Sequence, residues 1–236
     1  MKKNYDPESI EWKRNMDQMG LATYMDELDI NLLEAPTKGL IKSLNENLEN
    51  EYQDAGESFM ETGSYDLVNA NYLEQQLMAV YEVKIIHLYK SLEINVKRLL
   101  KAAYNKTSKD LYRWSTLTGF LNSKEIDYKK IKGYVEVNQL REVNNTLKHW
   151  TREGDSKIGH IEEFKEVDGY SEESLRKFYT RIRNFPIQWL LGLRDAIYEE
   201  LYEFSDDRLE NLAKEFALRM DPQVMERFIK KLKDKY

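Results

Sequence analysis

The stretch Asn71–Tyr104, NYLEQQLMAVYEVKIIHLYKSLEINVKRLLKAAY, decides the fold class. Its residues Leu73, Leu77, Tyr81, Ile85, Leu88, Leu92, Val96, Leu99 and Ala103 recur every three or four positions, the spacing that gathers side chains on one side of an α-helix. Neither proline nor glycine interrupts it. At a rise of about 1.5 Å per residue such a helix spans roughly 45–50 Å, enough for the spine of a bundle. Its apolar stripe requires other helices to cover it.

Candidates for that cover lie on both sides. From Ser171, a capping residue type, the chain carries Leu175, Phe178, Ile182, Phe185, Trp189, Leu193, Ile197, Leu201 and Phe204 at helical spacing, with Pro186 expected to kink or interrupt the helix. A further helix is expected over 128–150, ended by the breaker-rich 151–156, and another within 106–124. Towards the N-terminus, 9–33 reads as one or two short helices, with Gly20 and Pro36 as breaks. Leu40, Ile41, Leu44 and Leu48 mark another short helix, and loops are expected at 54–57 and 62–64. Helices over 207–220 and after Asp221–Pro222 close the chain. No alternating strand pattern and no repeat appears. The expectation is an all-α helical bundle built around two long amphipathic helices, with shorter N- and C-terminal helices. It divides into an N-terminal region of short helices (1–70), a helical core (71–205) and a C-terminal helical region (206–236).

Composition agrees. Hydrophobic residues are 41% and charged residues 33% of 236, a globular mixture with room for one large domain or two small ones. The absence of cysteine excludes disulfides, thiolate metal sites and cysteine nucleophiles, and fits a reducing compartment. MKKNYDPESIEW lacks the apolar stretch of a secretory signal, and no apolar run reaches membrane-spanning length, so a cytoplasmic address without membrane association is expected. A net charge of −6 argues against sequence-blind nucleic-acid binding by the whole surface and leaves room for a local basic face.

One such face lies in 137–150. Leu140, Val143, Leu147 and Trp150 fall on one side of the expected helix, and Asn138, Arg141, Asn145, Lys148 and His149 on the other. A guanidinium forks onto two phosphate oxygens, and an imidazole exchanges protons near neutral pH. Arg141 and His149 therefore suit attack of a ribose 2′-hydroxyl on its neighbouring phosphate, with no metal. The plainer reading is a solvated helix face whose last-turn Lys148 and His149 complement the helix dipole, and helix physics alone favours it.

Two segments resemble the HEPN superfamily, all-helical modules of bacterial defence and toxin–antitoxin systems. Val80–Tyr81–Glu82–Val83–Lys84–Ile85–Ile86–His87–Leu88–Tyr89–Lys90–Ser91–Leu92–Glu93 is similar to the family's LYxxLE helix. Leu140–Arg141–Glu142–Val143–Asn144–Asn145–Thr146–Leu147–Lys148–His149 is similar to its later Arg–Asn…His helix. Order and spacing agree over about the middle 80 residues of the chain. The departure is Asn144, which stands where the family's active ribonucleases carry arginine. The resemblance therefore implies one of two things. One is a divergent metal-independent endoribonuclease, with His149 as general acid or base, Arg141 stabilising phosphate charge, and Asn144, Asn145 and Lys148 binding RNA. The other is a non-catalytic interaction or scaffold module. It further implies a homodimer whose motif helices face each other, and a partner such as an antitoxin or another defence protein.

Other chemistries find little support. His87, His149 and His160 form no metal-ligand spacing, and His87 reads as a satisfied bundle residue. Glu82 and Glu93 lack the Glu-x-x-His partners of a di-iron bundle. No phosphate-binding glycine loop occurs, and no cofactor is expected. Trp12, Trp114, Trp150 and Trp189 read as core or interface anchors, and the basic run Lys230–Lys235 as a solvated helix end.

Overall fold

The computed structural model describes residues 9–23, 30–62, 67–107, 109–149, 158–165 and 170–235. In chain order these form α1 (Ile10–Thr23), α2 (Glu34–Thr62), α3 (Val68–Tyr104), α4 (Trp114–Ser123), α5 (Tyr134–His149), a 3-10 turn (Glu162–Phe164), α6 (Glu172–Ile182), α7 (Phe185–Tyr202), α8 (Asp206–Arg219) and α9 (Pro222–Lys233). No strand occurs among the described residues, so the chain is all-α. No helix among them is long and apolar enough to cross a membrane.

The stripe read from the sequence is the buried side of α3. Leu77, Tyr81, Ile85, Leu88, Leu92, Val96 and Leu99 are all buried. The chain forms two compact units, one of Asp29–Val96 with Lys129–Leu190, the other of Met1–Leu28 with Lys97–Tyr128 and Leu191–Tyr236. In the first, the buried part of α3 shares the interior with Val137, Leu140 and Val143 of α5, Leu175, Phe178 and Ile182 of α6, and Trp189. The Phe164 and Phe178 rings pack 5.4 Å apart there. In the second, Leu99, Leu100, Leu117, Leu121, Leu193 and Ile197 are buried. The Tyr104 hydroxyl of that unit donates to Glu200 (2.7 Å).

The second long segment is interrupted beside Pro186, as expected, into α6 ending at Ile182 and α7 starting at Phe185; other boundaries differ from expectation, each for a local reason. Pro186 falls in the first turn of α7, where its missing N–H has no helical partner to lose. At the other end of that segment, Ser171 caps α6 reciprocally with Ser174, as its residue type suggests. Asp221 likewise caps α9 by accepting from the Val224 N–H. The helix expected within 106–124 begins only at Trp114, because Asp110 accepts from both the N–H and the hydroxyl of Thr107 and closes a turn.

The expected loop at 54–57 is instead helix, and α2 runs unbroken to Thr62. Its inward positions Leu44, Leu48, Glu51, Ala55 and Ser58 are spaced alternately by four and three, the seam of a two-helix coiled coil. Leu44 and Ala55 are buried on it, and on α3 so are Ala70 and Leu77. Asn69 donates to Glu51 (3.5 Å) and Tyr52 to Glu74 (2.5 Å), fastening the flanks. Pairing with α3 outweighs the roughly 1 kcal/mol that Gly56 costs in a helix interior. α1 likewise runs through Gly20.

The N-terminus of α2 is clamped by one carboxylate. Glu34, its first residue, accepts from the Tyr179 hydroxyl (2.6 Å), and its other oxygen lies 3.4 Å from Lys84 Nζ. Arg183 Nη1 adds a third contact at 3.6 Å. Lys84 is only 5% exposed and sits over the Tyr179 ring, 4.4 Å from its centroid. Burial pushes the Glu34 carboxyl up, but the Tyr179 hydrogen bond and the two cations outweigh it and hold the group below its ordinary value.

Candidate functional site

α5 carries the candidate residues, and its start is set by a glycine. Gly133 has φ +91, and a Cβ there would stand 3.0 Å from the Phe185 carbonyl oxygen and 3.4 Å from Trp189 Cβ. Its own carbonyl accepts the Val137 N–H (2.9 Å). Only glycine takes this backbone conformation without strain while letting α5 approach Phe185 and Trp189 so closely. The chain before it, expected to be helical from 128, is therefore a run of turns, and the helix begins at Tyr134.

Val137, Leu140 and Val143 anchor the inner side of α5 with no exposed surface, and Leu147 is half-buried. Trp150, expected on the same stripe, lies outside the described residues. Asn145, Lys148 and His149 are on the outer side with Lys148 and His149 at its end, and Arg141 is half-buried. Asn144 departs from this pattern. It is fully enclosed, its Nδ2 donates to Asn145 Oδ1 (3.2 Å), and its Oδ1 has no hydrogen-bond partner among the described residues. A side chain so enclosed is out of reach of a substrate in solution.

Arg141 is held by its own helix. Its Nε and Nη2 donate to Asn138 Oδ1 (3.3 and 3.0 Å), and Nη2 lies 3.7 Å from Glu142 Oε1. The same Glu142 oxygen accepts from Asn138 Nδ2 (2.8 Å), while Oε2 lies 3.1 Å from His160 Nε2. The result is a surface chain of Arg141, Asn138, Glu142 and His160. Burial pushes the nearby Tyr89 hydroxyl up to about 12, with Glu93 adding to that rise and Arg141 opposing it. A second ion pair flanks α5: Arg181 grips Glu163 with two hydrogen bonds (2.6 and 2.9 Å) and donates to Gln139 (3.0 Å). Burial raises the Glu163 carboxyl, and Arg181 more than offsets this, leaving it below its ordinary value.

Arg141 and His149 share the outer side of α5 but do not meet on it. Eight residues separate them, about 12 Å along the axis at 1.5 Å per residue. Lys148 is the cation next to His149 in sequence, at the end of the described helix. Among the described residues no three His, Asp or Glu side chains stand together to hold a metal ion. His87, half-buried, has its Nδ1 3.3 Å from Ser91 Oγ, a local bundle contact. Trp189 is a core residue, and Trp12 and Trp114 are half-buried.

The contact that sequence spacing does not announce is Glu142 with His160. Asn138 to Arg141 and Asn138 to Glu142 follow from i, i+3 and i, i+4 neighbourhood on a helix. His160 arrives from a separate turn beyond the helix end, with no periodic signal linking it to α5.

No protein-family model, curated protein or solved structure matches the chain.

Proposed function

We propose that this chain is a HEPN-like helical module that acts by binding a partner protein in a bacterial defence or toxin–antitoxin setting, without cutting RNA. One observation carries the choice: among the described residues no guanidinium is poised beside His149 as the family's chemistry requires. Position 144 holds a neutral, enclosed amide. The Arg141 guanidinium is engaged by Asn138 and lies near the Glu142 carboxylate, two helical turns back. An imidazole without a nearby guanidinium lacks the planar fork that would hold two phosphate oxygens as charge builds during attack by the 2′-hydroxyl.

A second reading is favoured by the exposure of Lys148 and His149 at the end of α5. In it two copies would bring Arg141 of one towards His149 of the other, with Asn145 and Lys148 orienting RNA. Cleavage of RNA in EDTA by wild type, His149→Ala and Arg141→Ala separates the two. The interaction module gives background cleavage in all three. Metal-independent cleavage by wild type that both folded variants lose would overturn it in favour of the nuclease.

A further inference from the structure

The C-terminal helices α8 and α9 contain no buried residue. Each is nonetheless amphipathic. α8 places Leu209, Leu212 and Phe216 on one stripe, and α9 places Val224, Met225, Phe228, Ile229 and Leu232 on another. The two helices touch through Phe216 and Phe228, whose ring centroids are 5.3 Å apart. Beyond that contact Leu209, Ile229 and Leu232 stay 49%, 45% and 48% exposed. Helices of 14 and 12 residues owe their stability in proteins chiefly to a covered apolar face, and two of them cannot cover each other completely.

The charges indicate what completes the cover. α8 opens with Asp206, Asp207 and Glu210, and α9 closes with Lys230, Lys231 and Lys233, followed by Lys235. None of these seven takes part in an ion pair among the described residues; the pair formed within α8 is Arg219 with Glu215, at 2.6 Å. An acidic start of α8 and a basic end of α9 thus stand on one chain, these seven charges without an ion pair among the described residues and both apolar stripes partly exposed. We infer that this surface binds a second copy of the chain, α9 of one copy lying along α8 of the other. A two-fold axis makes the contact twice and closes the assembly, so each acidic run meets a basic run. An anionic membrane would suit α9 alone, because it would repel the acidic start of α8.

Sedimentation velocity on the full chain tests this, with the α5 face unchanged in every variant. Wild type is expected to be dimeric at micromolar concentration, with the dimer weakened by added salt. The triple variant Lys230→Glu, Lys231→Glu, Lys233→Glu and the triple variant Asp206→Lys, Asp207→Lys, Glu210→Lys should each associate at least about tenfold more weakly. Mixed in equal amounts, they should recover the dimer, because the swapped charges complement one another. Should the lysine substitutions melt α8, judged by circular dichroism, Ile229→Glu with Leu232→Glu provides the second arm and should also give a monomer. A monomeric wild type, a dimer indifferent to these variants, or wild type that partitions onto phosphatidylglycerol vesicles without dimerising would each overturn the assignment.

Discussion

Two charged clusters in the same compact unit are built from similar parts and placed in different solvents. At the start of α2, Glu34 gathers Lys84, Tyr179 and Arg183, and the lysine is enclosed beneath aromatic rings. On the outer side of α5, Glu142 gathers Asn138, Arg141 and His160, the imidazole being 59% exposed. The first cluster ties three helices together, so its loss leaves a charge stranded in the interior. The second holds side chains in place along the outer side of α5, where Arg141 and His160 both reach solvent. Stability therefore resides in the Glu34 cluster, and the α5 cluster is open to partners at little cost to folding.

The largest effect should come from breaking the enclosed pair. Lys84→Ala is expected to cost about 3 kcal/mol in a urea melt, the low end for a broken buried pair because Glu34 keeps some solvent. Lys84→Met, which refills the space, should cost about 1 kcal/mol or less; equal losses in the two would mean that the charge contributes nothing. Gly133→Ala should follow at about 2 kcal/mol, from the positive φ and the carbonyl it would crowd. Next comes acid. The folded-state value of Glu34 lies below its ordinary 4.5, so its contribution is present above pH 4.5 and is lost as pH falls through the folded value. Wild type should accordingly lose more stability than Glu34→Gln on going from neutral pH to below that window, the difference reduced by the solvent that reaches Glu34. Parallel stability curves would remove Glu34 from the clamp. The smallest effects belong to α5: Arg141→Ala and His160→Ala should each change stability by about 0.5 kcal/mol or less. A cost above about 2 kcal/mol in either would move that cluster into the structural class.

The same contrast explains what could be read in advance. The α3 stripe and the Ser171 and Asp221 caps rest on local periodicity and capping chemistry, and both appear as expected. The course of α2 through 54–57 was hidden because Asp54, Gly56 and Glu57 look like a loop unless the partner helix is known. At the candidate site, the outer face of Arg141, Asn145, Lys148 and His149 was legible from helical angles. The enclosure of Asn144 was not, since a carboxamide beside an apolar stripe reads as surface. Neither was the approach of His160, which depends on tertiary folding rather than on spacing along one helix.

Asn144 also bears on the history of the chain. Among the described residues its enclosed carbonyl oxygen has no donor, a state that costs about 1–3 kcal/mol relative to a well-packed aliphatic residue. A lineage selected for heat tolerance alone would shed this amide early. A lineage that retains it carries a penalty for some purpose other than folding, so the residue found at this position in relatives from hot and temperate habitats would reveal which pressure has prevailed.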